Sequence, residues 1–281
     1  MPLSDLVRTL NHPKSGLPAH YSRSGLDQPF VAADGRVFLH YANIRLESQF
    51  LPIVDTASGK LHGHAASLQA FGLANRIPLL PESVFVLPTD NEEFVYLDRL
   101  VRTLHALNYL TQPERGNLLL KVHARHILSV SSQHGLAFEE ILKPCGLLPE
   151  QITLEMDING IDDAEHLIRA VNSYRSRGYG IAIGQFGRKK LDFGLLRELQ
   201  PGIVKLDQSL LSSDRPIARI IETIQQLPAR VMVDNIELTA LRKPILASGI
   251  DLLGVSSSSK IGLDLESRQA DFRCASNRSA A

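Results

Sequence analysis

Short apolar runs in this chain end in polar residues at several points, and junctions of that kind are where side chains that do chemistry usually stand. Glu155 lies in "ITLEM" (152–156), Lys205 in "GIVKL" (202–206), and Asp234 closes "RVMVD" (230–234), with Glu237 just beyond. The run "GIAIGQFG" (180–187) breaks the pattern, because its end offers Gly184 and Gln185 and no acid. His62, His64, His123 and His126 suggest a metal site at the mouth of a sheet, since His-x-His on an extended segment puts both rings on one face. With no firm third ligand, solvated or capping histidines are the simpler reading. "RKK" (188–190) and "SSSSK" (256–260) have groups that can grip a phosphate or an acidic partner, yet each reads first as a solvated loop.

The elements that must position these residues alternate. "VFLHY" and "FLPIV" read as strands joined by "ANIRLESQ", and Phe94, Leu97, Val101, Leu104 and Leu107 mark an amphipathic helix. "NLLLKV" (117–122) and "ITLEM" read as buried strands. Asp162 and Glu165 resemble a capping box ahead of the stripe Leu167, Ile168, Val171 and Tyr174. There follow the strand "GIAI", a helix near 192–199, the strand "GIVKL", a helix carrying Ile217, Ile220, Ile221 and Ile224, the strand "RVMVD", a short helix ending at Gly249, and the strand "DLLGV" (251–255). Repeated strand–helix units of this length predict a parallel sheet, and a closed eight-stranded α/β barrel fits better than an open one. No Gly-rich phosphate fingerprint follows any strand.

Composition narrows the classes. Lys plus Arg and Asp plus Glu are each 30 among 281 residues, so no net charge drives nucleic-acid or membrane-surface binding. No apolar run approaches the roughly 20 residues of a membrane span. The start, "MPLSDLVRTLNHPKSG", lacks the apolar core of a secretory signal. Cys145 and Cys274 sit in no metal-type spacing, which suits two structural thiols in a cytoplasmic protein.

"LPIVDTASGKLHGHAASLQAFG", "ITLEMDI", "GIAIGQFG", "GIVKLDQSLL" and "RVMVDNIE" stand in the order and spacing of the EAL-domain family, and the resemblance spans residues 36–264. It implies a variant TIM-type (β/α)8 barrel, preceded by an N-terminal extension or arm (1–35) and followed by a tail (265–281). It also implies hydrolysis of cyclic di-GMP by Mg²⁺ or Mn²⁺, held by carboxylates and an Asn at the barrel's C-terminal face, which activate water and absorb charge on phosphate.

This chain departs from the family's pattern at most of those positions. Glu-Ala-Leu reads Ala65-Ala66-Ser67, the following Arg is Gln69, and the Gln before "PIVD" is Leu51. The metal-binding Asn falls on Lys121, whose ammonium would repel an ion. The second Glu of "LEMDI" is Ile158, the paired Asp are Gly184 and Gln185, and Gln-Gly after the last strand becomes Gly254-Val255. Glu155, Lys205 and Glu237 survive, a family Glu is shortened to Asp234, and the four form a remnant; Lys121 is expected to pair with Glu155 or Asp234 in the ion's place.

The resulting expectation is a catalytically inactive regulatory protein with no catalytic residue, metal or cofactor. It would act by protein–protein interaction with a regulatory partner, as in motility control, and a homodimer is plausible by resemblance. Because Leu51, Ala65, Gln69 and Gly254 depart in the ligand pocket, cyclic di-GMP binding is expected to be weak or absent. Two alternatives stay open: a non-hydrolysing cyclic di-GMP receptor, and a phosphodiesterase with a rearranged metal site.

Overall fold

A computed structural model of the chain describes residues 3–11, 28–211, 217–236 and 249–255. Glu237, the "SSSSK" segment, the short helix before Gly249, Cys274 and residues 265–281 lie outside the described residues.

Eight strands close into a ring. They are β3 (Ile44–Asp55), β4 (Leu61–Gly72), β6 (Asn117–Val122), β7 (Ile152–Asp157), β8 (Gly180–Phe186), β9 (Ile203–Leu206), β10 (Arg230–Ile236) and β11 (Leu252–Val255). β3 runs antiparallel to both its neighbours, β11 and β4, while the other pairings in the ring are parallel. The strands read as nearly continuous apolar runs because both faces are covered. One face points inward, where Ile53, Leu119, Ala182, Ile203, Met232 and Leu252 fill the barrel with Ala65 against them. The alternate residues, such as Leu120, Leu154, Ile183, Val204 and Val233, join the larger core under the helices.

The expected connection "ANIRLESQ" is itself strand from Ile44 onward, so the two expected strands are not separate there. β3 pairs with β4 along its whole length, from Ile44 with Gly72 to Val54 with Leu61. One half of this hairpin forms two barrel staves. The other half carries a side lobe built from β1 (Phe30–Ala33), β2 (Arg36–Tyr41) and β5 (Pro78–Leu79). Helix α1 (Leu3–Leu10) docks on this lobe through Leu6 and Val7, both buried. Asn11 fixes the junction: its Nδ2 donates to the Phe30 carbonyl and its Oδ1 accepts the Phe30 amide.

Helix α2 (Asn91–Tyr109) is capped by Asp90, whose carboxylate accepts the Glu93 amide at 2.8 Å. Its neighbours α3 (Ala124–Ser129) and α4 (Leu136–Cys145) cover the face that a simple amphipathic pattern would leave wet. Helix α5 (Ala164–Arg175) starts one residue later than its sequence suggests, because Asp163 and not Asp162 accepts the His166 amide. Helices α6 (Phe193–Leu199) and α7 (Ile217–Gln225) complete the described shell. Cys145 is a buried free thiol, pushed by burial up to about 11. No helix among the described residues is long and apolar enough to cross a membrane.

Candidate functional site at the barrel mouth

Side chains on a strand return to the same face every second residue. Two residues beyond the filled interior layer, the inward positions at the C-terminal ends of the parallel strands are therefore Lys121, Gly184, Lys205, Asp234 and Gly254. Glu155 joins them from β7. The Lys205 ammonium lies 2.5 Å from Glu155 Oε1 and 2.9 Å from Asp234 Oδ2. Burial works against a charged lysine, but the two carboxylates and their hydrogen bonds outweigh it and hold Lys205 above the usual lysine range. Glu155 is itself buried.

The two glycines are part of the same arrangement. A Cβ built on Gly184 would overlap Glu155 Oε1 and stand 3.0 Å from its Cγ. One on Gly254 would come within 2.9 Å of Asp234 Cβ. Glu155 thus occupies room that any side chain at 184 would need.

The substituted positions divide between this mouth and its surroundings. Ile158 is buried in the helix-side core. Leu51 pairs across the hairpin with Ala65, and Gln69 turns to Gln49, donating to its Oε1 at 2.8 Å. Gln185 takes a left-handed backbone (φ 50°), accepts from Arg188 through its side chain and from Asn159 through its carbonyl. Lys121 departs from expectation. It is the in-register neighbour of Glu155, yet it is exposed and pairs with neither Glu155 nor Asp234. The nearer cation, Lys205, already holds both acids, leaving Lys121 no partner to gain.

The basic loop is engaged with the protein's own groups. Arg188 donates to Gln185 Oε1, Lys189 to the Asn159 carbonyl at 2.9 Å, and Lys190 pairs with Asp192. The histidines do not converge at the mouth. His62 and His64 sit at the opposite end of the barrel, where His62 stands beside Arg230 and Arg230 pairs with Asp55. His123 caps α3, its Nδ1 accepting the Arg125 amide, and His126 is buried against Asp98. No cluster of three or more His, Cys, Asp or Glu among the described residues is arranged to hold a metal ion.

The EAL domain family model matches residues 38–253. The chain belongs to the EAL domain family. No curated relative matches this EAL chain. Among solved structures it is similar to Bacillus subtilis YkuI, a protein with an EAL domain determined with cyclic di-GMP and calcium. The TM-score is 0.68 and the identity 16%, over 84% of this chain and 63% of YkuI. It is also similar to a standalone EAL protein of Vibrio cholerae O395 in its cyclic di-GMP-bound form (TM-score 0.63, 20% identity, 75% of this chain and 89% of that one). Klebsiella pneumoniae BlrP1, in a calcium and cyclic di-GMP complex, gives 0.62 and 18% over 75% of this chain and 54% of its own. At these identities the likeness establishes the fold. The chain spans under two thirds of YkuI.

A second polar cluster in this EAL chain escaped sequence reasoning. On α2, Asp98 and Arg102 form a buried pair at 2.9 Å, and His126 Nδ1 lies 2.9 Å from the same Asp98 Oδ2. Burial alone would raise Asp98, but Arg102 and His126 outweigh it and bring it down to about 2. Burial also lowers His105 to about 4. The four-residue spacing of Asp98 and Arg102 was visible, but it reads as an exposed helix pair.

Proposed function

We propose that this EAL chain is catalytically silent and acts by binding a regulatory protein, without hydrolysing cyclic di-GMP and with weak or absent binding of it. The observation that carries this reading is the Lys205 ammonium bridging Glu155 and Asp234. Those are the two described remnant carboxylates, and their charge is spent on a side chain. The donor set does not fit a divalent ion: Gly184 brings no ligand atom, Ala65 brings none, and Lys121 adds a cation on the adjacent strand.

A protein partner is favoured over a nucleotide by the apolar surface along the β5 edge and the 3-10 turn Pro81–Val86. Leu80 and Val86 are 75% and 78% exposed there, with Ile77 close by in sequence at 56%. A second copy of the chain suits the same kind of surface, so a homodimer belongs to this reading.

Calorimetric titration of cyclic di-GMP into the protein, with and without Mg²⁺ or Ca²⁺, tests the proposal, paired with a hydrolysis assay. No heat at millimolar ligand and no turnover are expected. Micromolar binding without turnover would replace this reading with a non-hydrolysing receptor. Metal-dependent turnover abolished by Glu155→Ala would replace it with a phosphodiesterase of rearranged site.

A further inference from the structure

Beside the barrel mouth lies a cavity of about 270 Å³, bounded by β4, α2, the Pro81–Val86 turn and the end of β6. None of Glu155, Lys205 and Asp234 lines it. Its size is just below the usual span of small-molecule sites, which suits a compact ligand.

The cavity's polar groups are few and of opposite kinds. Asp98 is 3% exposed, and both of its charged partners, Arg102 and His126, engage Oδ2. No described residue donates a hydrogen bond to Oδ1. Lys121 lines the same cavity with an ammonium that has no ion-pair partner among the described residues. His123 Nδ1 accepts the Arg125 amide, so its neutral ring carries the proton on Nε2. His105 also lines the cavity, with its Nδ1 2.8 Å from Ser48 Oγ. Glu82 and Ser67 also line the cavity, and the rest of the wall is apolar, with Phe85 and Val101 foremost.

A simple anion would meet the Asp98 carboxylate, with Glu82 also on the wall. A simple cation would meet Lys121, and an apolar molecule would leave Asp98 Oδ1 unsatisfied. We infer that the cavity binds a small zwitterion of the α-amino-acid class with an apolar side chain. Its ammonium sits on Asp98 Oδ1, its carboxylate takes Lys121 and an imidazole N–H, and its side chain packs on Phe85 and Val101. The site is independent of whether hydrolysis is lost. Because Lys121 neighbours Glu155 in register, occupancy would be felt one strand from the Lys205 bridge.

The test uses the full chain and L-phenylalanine, L-leucine and L-methionine, followed by thermal shift and calorimetry. Phenethylamine and 3-phenylpropionate serve as controls that each lack one charge. At least one amino acid is expected to bind, and each control to bind about tenfold or more weakly, the scale of losing one charged contact. Lys121→Met, at an exposed position that does not threaten the fold, should weaken the amino acid to a similar degree. The inference is overturned if no amino acid binds at millimolar concentration, if a single-charge control binds equally well, or if Lys121→Met leaves affinity unchanged.

Discussion

At position 184 a missing side chain shapes the site as much as those present, because Glu155 Oε1 fills the space a Cβ would take and delivers that oxygen to Lys205. Restoring the family's acid through Gly184→Asp should therefore not restore metal-dependent hydrolysis. It should lower Tm in a thermal melt, since Glu155 must leave its partner to make room. Lys205→Met is the reciprocal case: it strands a buried carboxylate, and a loss of about 3–5 kcal/mol is expected in urea unfolding. The sequence made the absence of acid at 184 and 185 plain. It did not reveal which cation would replace the ion. Lys121 and Lys205 both stand near Glu155, and side-chain geometry in the closed barrel chose Lys205.

Helix α2 raises the same issue for an element. Its apolar stripe was legible as a period, but the covering of its polar face by α3 and α4 depends on distant segments that no local pattern encodes. With that face buried, Asp98→Asn leaves the Arg102 guanidinium without its carboxylate, and a loss of about 3–5 kcal/mol by denaturant titration is expected. Acid should act on the same region. Burial lowers His105 to about 4, and burial with His126 and His166 nearby does the same for His134. Between about pH 6.5 and pH 4 the unfolded chain takes up protons that these folded rings refuse, so stability falls on acidification. Asp98, held near 2 in the fold, adds a further loss that sets in as the pH nears the ordinary Asp value of about 3.9 and grows below it. Melting temperatures across pH 7.5 to 4 should decline, with a shallower slope in His105→Gln. At the other end of the chain, α1 buries Leu6, and Leu6→Ala should cost about 2–4 kcal/mol in the same assay.

For the whole molecule, the alternation of strands and helices was enough to foresee a closed barrel, because each parallel strand carries its own apolar run. The hairpin of β3 and β4 was not foreseen as one unit, since half of each strand lies in the side lobe, where it pairs with β2 or β5 and not with a barrel stave. The seam that shuts the ring is the antiparallel pairing of Asp55 with Leu252 and Ile53 with Gly254. On the ribosome, β3 emerges long before β11, the strand that closes the ring against it. Until β11 arrives, β3 and β10 each present an unpaired edge to other chains nearby. The barrel is therefore committed only once β11 has been made, and its yield in a cell should depend on how long those two edges are shielded.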